Sequence, residues 1–244
     1  LKNGLSFHNY TPSEIEINQI NNCDLFIYNG GQSEQWVNEI IKNPVNPEQK
    51  FLNLSEVIKN ATGEEVILDE HTWLSLKYAQ ICNQAIYEAL CEAVPQNQQM
   101  YQQNLNEFLK ALSDLDVQYE TTINNSSKNT LLFCDRFPFS YLTKDYNLTI
   151  YPAIPECFIE TETDSQTTQF LAKKLEELDL NSVITIENNK QKIAHDVIAL
   201  TKKPSCDILV LDSLQTTTLR EAFNGKTYYS TMKSNLEVLK KALE

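Results

Sequence analysis

The chain has 244 residues, of which 41% are hydrophobic and 22% are charged, and its formal net charge is −13. This length and apolar fraction suit one large globular domain or two lobes. The negative charge argues against nucleic acid as a partner, because phosphate binding needs a basic surface. Only five glycines occur, and the sequence contains neither a dinucleotide-binding fingerprint nor a P-loop pattern. It also has no run of about 18 apolar residues that could span a membrane.

The six cysteines are scattered, and none forms a C-x-x-C pair. A zinc knuckle or a thioredoxin-like motif is therefore not supported, and the cysteines are too sparse for a disulfide scaffold. Most of them are expected to be small buried hydrophobes. Cys134 and Cys157 follow consecutive predicted strands. Whether they form a disulfide stays open, because sequence does not give their spacing.

The first part of the chain alternates helix-like and strand-like segments. Hydrophobic spacing and capping residues predict helices at 13–21, 34–42 and 75–94, with Ser13 as an N-cap. Short apolar runs predict strands at 24–28 and 51–54.

A long helix is predicted at 96–122, where apolar residues recur at helical spacing without proline or glycine. It would be about 40 Å long at 1.5 Å per residue. The polar tract at 124–127 ends it. We accordingly divide the chain into an N-terminal lobe (1–95), a linking helix (96–126) and a C-terminal lobe (127–244).

The second part repeats the alternation, with predicted strands at 130–133, 148–154, 183–187 and 207–211 and helices at 165–178, 191–201 and 229–243. Strands separated by helices of this length indicate parallel βαβ units, and hence an α/β fold in each half. Ligands of open parallel sheets bind beyond the carboxyl ends of the strands. The residues that follow each strand are therefore the ones to inspect.

Those positions hold Asp135, Asp212 and His71, while His8 lies just before the first predicted helix. Two imidazoles and two carboxylates from four segments could close a site for a divalent transition metal. Carboxylates at strand ends are nevertheless common, and Asp135 could equally form a surface salt bridge with Arg136.

The chain has only three histidines, and His71 has the most distinctive surroundings. It follows Asp69 and Glu70 and precedes Trp73, and neighbouring carboxylates can help to hold a cation or orient the ring. A lone histidine before a helix is more often an ordinary surface or capping residue. His195, in the middle of a predicted helix, is interpreted as structural or exposed.

Four motifs, in order, resemble those of the zinc- and manganese-binding proteins of bacterial metal ABC importers. The segment 7–13 (FHNYTPS) resembles "PHDYEPS", and 69–75 (DEHTWLS) is similar to "DPHVWLSP". The segment 135–142 (DRFPFSYL) looks like the "DRFPFRYL" element of one branch. The segments 211–213 and 225–236 resemble the closing "TDSI…GDSYYAMMKWNL" pattern. The resemblance covers almost the whole chain.

The resemblance implies two α/β lobes, each a mainly parallel sheet flanked by helices, joined by one long backbone helix. It places the metal in the cleft between the lobes. The family's opening strand and helix are absent from this chain, as is a lipid-attachment cysteine. The implied function is non-enzymatic: binding of a divalent metal on the extracellular face of the membrane, or in the periplasm, and delivery to an ABC permease. The protein would be a monomer, held at the membrane by a lipid anchor outside this chain.

The resemblance implies His8, His71 and Asp212 as the first, second and fourth metal ligands. The family's third ligand is a histidine or glutamate at the position of Arg136, and arginine cannot deprotonate to coordinate a cation. Asp135 is therefore assigned as the third ligand.

Glu160 and Glu162 are reserve candidates for the third ligand. Their alternative interpretation is as helix N-terminal charges that complement the helix dipole.

Zinc is the expected metal, with manganese as the alternative, because the oxygen ligands of a His₂Asp₂ site suit Mn²⁺ while zinc binds most such sites more tightly. A zinc-dependent hydrolase is the alternative from another class, and would need an open coordination position and a general base. A surface adhesin is a third possibility that could coexist with transport.

Overall fold

The computed structural model describes residues 7–64, 69–157 and 163–244. The described chain forms two compact units, which divide in sequence between Asp116 and Val117. The apolar run at 66–68 and the reserve ligands Glu160 and Glu162 lie outside the described residues. The boundaries predicted at 95/96 and 126/127 stay a prediction.

The N-terminal unit contains two parallel strands whose register pairs Leu25 with Lys50 and Tyr28 with Asn53. They are β1 (Leu25–Tyr28) and β2 (Lys50–Asn53). Its helices are α1 (Glu14–Asn21), α2 (Val37–Lys42), α3 (Leu54–Thr62), α4 (Leu76–Ala93) and the larger part of α5 (Gln98–Asn124). Two short 3-10 turns, Phe7–Asn9 and Thr72–Leu74, carry or follow the histidines of interest.

Side-chain caps fix where these helices begin. Ser13 caps α1 in a capping box with Glu16, as the sequence predicts. Asn53 accepts a hydrogen bond from the Glu56 N–H and caps α3, and Ser75 caps α4 in the same way. Because Asn53 is also the last residue of β2, strand and helix follow each other without a loop.

Helix α5 confirms the long helix expected from the sequence. It has 27 residues, which corresponds to about 40 Å at 1.5 Å per residue. The division between the two units falls inside this helix, so α5 contributes residues to both. No helix within the described ranges is both long and apolar enough to cross a bilayer.

The C-terminal unit is built on a four-stranded, all-parallel sheet with the order β4-β3-β5-β6. The strands are β3 (Thr130–Arg136), β4 (Thr149–Ile154), β5 (Ser182–Ile186) and β6 (Asp207–Leu211). The helices are α6 (Ser140–Asp145), α7 (Ser165–Glu177), α8 (Lys192–Ala199), α9 (Leu219–Phe223) and α10 (Tyr228–Ala242).

The core of this unit packs α7 and α8 against the sheet. Leu171, Leu175, Val183 and Val197 are all fully buried there. Every residue of β5 is buried, as expected for a central parallel strand covered on both faces. The α/β class predicted from the sequence is confirmed.

One strand departs from its prediction in a way that matters for the site. β3 was expected to end at Phe133 but runs to Arg136. Its register with β4 shifts between Phe133, opposite Pro152, and Arg136, opposite Ile154. Three residues on β3 thus span two on β4, which is a β-bulge, and such bulges re-aim side chains. Asp135 lies within this bulge.

Candidate metal centre

His8 is held by a buried carboxylate from a distant part of the chain. Its Nδ1 lies 2.8 Å from Glu70 Oε1 and 2.9 Å from Ser33 Oγ. The Ser33 hydroxyl and backbone N–H both donate to the Glu70 carboxylate, which anchors it. Burial raises the pKa of Glu70, but the hydrogen bonds from His8 and Ser33 outweigh burial and leave this pKa below its ordinary value. Glu70 is therefore ionised and can only accept.

His71 has a carboxylate of its own. Asp69 Oδ1 lies 2.6 Å from His71 Nδ1 and also accepts the His71 backbone N–H at 3.0 Å. The side chains of His71 and Asp69 are 3% and 18% exposed, so water competes little for this contact. The Trp73 ring packs beside the imidazole, with ring centroids 5.2 Å apart. Asp69 thus sets the direction in which the His71 ring points.

The two carboxylates orient the two imidazole rings. Glu70 is ionised and accepts, so His8 donates to it through Nδ1, and Asp69 Oδ1 faces the Nδ1 of His71 in the same way. The Nε2 atom of each ring is then directed away from its carboxylate. The Nε2 atoms of His8 and His71 lie 3.2 Å apart. Two lone pairs at this separation repel each other unless a cation or a proton lies between them.

A metal ion bound by both rings would give a similar separation. Two nitrogens bound to a tetrahedral zinc at about 2.05 Å are about 3.3 Å apart. The observed 3.2 Å matches that value. Carboxylate–histidine pairs that orient ring nitrogens toward a shared ion are the usual outer arrangement of metal-ligating histidines. The N-terminal unit therefore holds two imidazole nitrogens at a separation that suits one metal ion.

The turn after β1 supports both histidines. The Asn29 side chain donates to the Glu70 carbonyl at 2.7 Å and accepts from the Thr72 hydroxyl at 2.7 Å. These two hydrogen bonds attach the segment around His71 to the end of β1. Gly31 has φ +148°, and a Cβ at this position would collide with the Glu70 carboxylate. Glycine is needed here both for the backbone conformation and for the space.

Asp135 is buried in the C-terminal unit, at 2% exposure. Its carboxylate accepts the backbone N–H of Arg136 at 2.8 Å and that of Ile186, the last residue of β5, at 3.2 Å. Burial raises the pKa of Asp135 above its ordinary value, although these N–H groups and the Arg136 guanidinium lower it. The alternative of a surface salt bridge between Asp135 and Arg136 is wrong, because the carboxylate is buried.

Asp212 follows β6 as predicted and is fixed by α10. The Asn235 side chain accepts the Asp212 N–H and donates to the Asp212 carbonyl, both at 2.9 Å. The carboxylate accepts the Leu214 N–H at 2.9 Å and forms an ion pair with Lys226 at 2.7 Å. Burial lowers the pKa of Lys226, but the contacts with Asp212 outweigh it and raise this pKa.

Sequence reasoning missed several residues that shape these sites. Glu187 follows β5 and accepts from the Ser213 N–H and hydroxyl at 2.8 and 2.7 Å, which fixes the segment after β6. It was placed inside the predicted strand 183–187, so it was not inspected as a strand-end residue. Ser33 and Lys226 carried no signal in the sequence. His195 is exposed on α8, in agreement with its interpretation.

The predicted ligands therefore fall into two groups. His8 and His71 are brought together in the N-terminal unit, whereas Asp135 and Asp212 follow or end strands of the C-terminal unit. All six cysteines, including Cys134 and Cys157, are free thiols. Paired imidazoles of this geometry are suited to binding a divalent metal.

Comparison with known proteins identifies the class. The model of the family of the periplasmic zinc-uptake complex component A (ZnuA) matches residues 1–242. The chain belongs to this family, whose members are substrate-binding proteins of metal ABC importers and not enzymes. The hydrolase alternative is accordingly dropped.

Curated relatives agree with the class and differ in their metal. The chain is 29% identical over 251 residues to a metal ABC transporter substrate-binding lipoprotein of Lactococcus lactis, covering 97% of this chain and 77% of that protein. It is 27% identical to the high-affinity zinc uptake protein ZnuA of Bacillus subtilis, with the same coverage. It is 26% identical to the manganese transporter lipoprotein PsaA of Streptococcus anginosus, covering 97% and 78%.

Solved structures share the fold. The metal-dependent lipoprotein YcdH of Bacillus subtilis superposes with a TM-score of 0.83 at 26% identity, covering 100% of this chain and 89% of that one. The laminin-binding protein Lbp of Streptococcus pyogenes gives a TM-score of 0.76 at 21% identity, with coverages of 97% and 88%. At that identity the second likeness shows the fold alone.

The carboxylate behind His8 provides the first test. Glu70→Gln keeps the size of the side chain but weakens the hydrogen bond that directs the ring. We expect zinc affinity to fall about 10- to 100-fold, as for other outer-shell partners of metal-bound histidines. Titration against a chromophoric chelator measures this. Glu39→Gln, at an exposed glutamate that pairs with Lys42, serves as the control and should leave affinity unchanged. Equal affinities of the two variants would contradict the role of Glu70.

Proposed function

We propose that this protein captures a divalent transition metal outside the cell, zinc before manganese, and delivers it to the permease of an ABC importer. The observation that carries the proposal is the pair of Nε2 atoms 3.2 Å apart, each on a ring whose Nδ1 is held by a carboxylate. Such a pair is poised for a cation before the cation arrives. A binding protein needs this preorganisation because ordering the ligands on binding would cost affinity.

The choice of zinc rests on the chemistry of the ligands. Imidazole nitrogen suits zinc, and the Irving–Williams order places Mn²⁺ well below Zn²⁺ at most mixed nitrogen and oxygen sites. The family description names zinc, and so does the Bacillus subtilis relative. The PsaA relative, named for manganese, keeps Mn²⁺ as the alternative.

Two carboxylates are proposed to complete the coordination, Asp135 and Asp212. Both are held by backbone N–H groups, which fix the carboxylates in place and leave further lone pairs for a metal. The two ligands would also supply the negative charge that balances a dication. Glu160 and Glu162 remain the reserve ligands proposed from the sequence.

The partner and location follow from the family. Substrate-binding proteins of ABC importers hand their cargo to a membrane permease, and the Lactococcus lactis relative is a lipoprotein. We propose the extracellular face of the membrane, or the periplasm, as the location, with attachment through a lipid anchor. We also propose that the protein acts as a monomer.

Removal of one imidazole tests the centre directly. His71→Ala should lower zinc affinity by more than about 100-fold, beyond the loss that follows removal of an outer partner. The fold should persist, because His71 lies in a loop rather than in an apolar core. Calorimetry and the zinc-dependent rise in melting temperature measure the two effects. His195→Ala, at the exposed histidine of α8, is the matched control. Undiminished stabilisation of His71→Ala by zinc would remove this residue from the site.

Metal preference is tested by competition. The metal-free protein is titrated with Zn²⁺ and Mn²⁺ against the same chelator. We expect tighter binding of zinc, because the two imidazoles favour it over the harder ion. Tighter binding of Mn²⁺ would overturn the zinc assignment while leaving a metal-binding protein.

Asp135 is tested by a change that keeps its shape. Asp135→Asn removes the negative charge that would balance a dication, so zinc affinity should fall by about tenfold or more. Circular dichroism of the metal-free variant checks that the β3 bulge still folds. A metal-loaded crystal structure with anomalous data at the zinc edge gives the direct answer. Density on Glu160 or Glu162 instead of Asp135 would refute this third ligand.

A further inference from the structure

The ion pair between Lys226 and Asp212 is unusual for a proposed metal ligand. Lys226 Nζ lies 2.7 Å from Asp212 Oδ2, and the two side chains are only 19% and 25% exposed. The other oxygen, Oδ1, accepts the Leu214 N–H. Both oxygens of the carboxylate are therefore engaged, one of them by a full positive charge.

A lysine ammonium cannot itself ligate a metal. It has three donors and no lone pair. Its effect on a cation at Asp212 is therefore electrostatic and repulsive, and it is strong because the pair is largely shielded from water. A dication and this ammonium cannot both hold Asp212 Oδ2 at low cost.

Lys226 has a second anion within reach. Glu221 Oε1 lies 3.6 Å from Nζ, so a small shift would bring the ammonium into contact with it. Glu221 is held in place through its other oxygen, Oε2, which accepts from the Thr218 N–H and hydroxyl in the capping box of α9. The Lys226 backbone N–H also donates to the Glu221 carbonyl at 3.0 Å, which keeps the two residues together.

We propose that Lys226 is a built-in competitor of the metal, which neutralises Asp212 when no metal is bound and moves to Glu221 when one binds. This inference rests on the proposed function, since it requires Asp212 to be a ligand. In this arrangement Lys226 lowers the affinity of the protein for its cargo. It also provides a cation that can take the place of the metal on Asp212 when the metal leaves.

Two substitutions should shift zinc affinity in opposite directions. Lys226→Met removes the charge and keeps the length of the side chain, so zinc should bind about tenfold more tightly, comparable to the effect of one nearby charge on the proton affinity of a carboxylate. Glu221→Gln removes the alternative anion while glutamine still caps α9, so Lys226 stays on Asp212 and zinc should bind a few-fold more weakly.

Matched controls remove the effect of overall charge, which matters in a chain of net charge −13. Lys241→Met deletes a lysine whose ion pair with Asp207 is more than half exposed, and Glu39→Gln deletes an exposed glutamate. Each should leave zinc affinity within about twofold of the wild type, since exposed charges are screened by salt. In an Asp212→Asn background the gain from Lys226→Met should disappear.

The measurements are chelator competition with zinc chloride and the melting temperature with and without zinc. Lys226→Met should melt lower than the wild type without zinc, because an ion pair is lost, and should gain more from zinc. If wild type binds zinc and Lys226→Met binds no more tightly than Lys241→Met, the competitor role is overturned and the proposed function stands. If the wild type binds neither Zn²⁺ nor Mn²⁺, the proposed function fails.

Discussion

The 3.2 Å contact between the Nε2 atoms of His8 and His71 is the constraint around which the N-terminal unit is arranged. It requires a proton or a cation between the two nitrogens, because two facing lone pairs would repel each other. The surrounding residues hold the two rings in this position. Glu70 and Asp69 contact the Nδ1 atoms of His8 and His71, and the Ser33 N–H donates to Glu70. A metal ion between the two nitrogens would be bound by both lone pairs.

The carboxylates of the C-terminal unit are held by different kinds of partner. Asp135 and Asp212 are stabilised by backbone N–H groups at strand ends, and Asp212 also by an ammonium. In both units the charged groups are neutralised locally. Asp135 is buried and Asp212 is largely shielded from water, so these contacts offset part of the cost of removing their charges from water.

The sequence predicted the six strands and most helices of the described chain, and it missed three short helices. α4, α5 and the four strands of the C-terminal sheet carry enough apolar residues for their periodicity to be recognised. α3 was missed because Asn53 ends β2 and caps the helix at once, so Leu54 was assigned to the strand. α6 and α9, with six and five residues, are too short for a periodic signal.

In the candidate site, local features were predicted from the sequence and long-range contacts were not. His8, His71 and Asp212 were found through motifs and strand ends, which are local features of the sequence. The link from Glu70 to His8 spans 62 residues and depends on tertiary folding. The β3 bulge at Asp135 and the pairing of Lys226 with Asp212 likewise depend on strand register and loop geometry, which composition does not encode.

Gly31 shows how far the demands of such a centre extend into the chain. It lies outside the proposed coordination, yet its positive φ and the closeness of the Glu70 carboxylate both exclude a side chain. A substitution at Gly31 would affect metal binding indirectly, by displacing Glu70 and, through Glu70, His8. A substitution that spares every proposed ligand would therefore still weaken metal binding, because the structural requirements of the site extend beyond the coordinating residues.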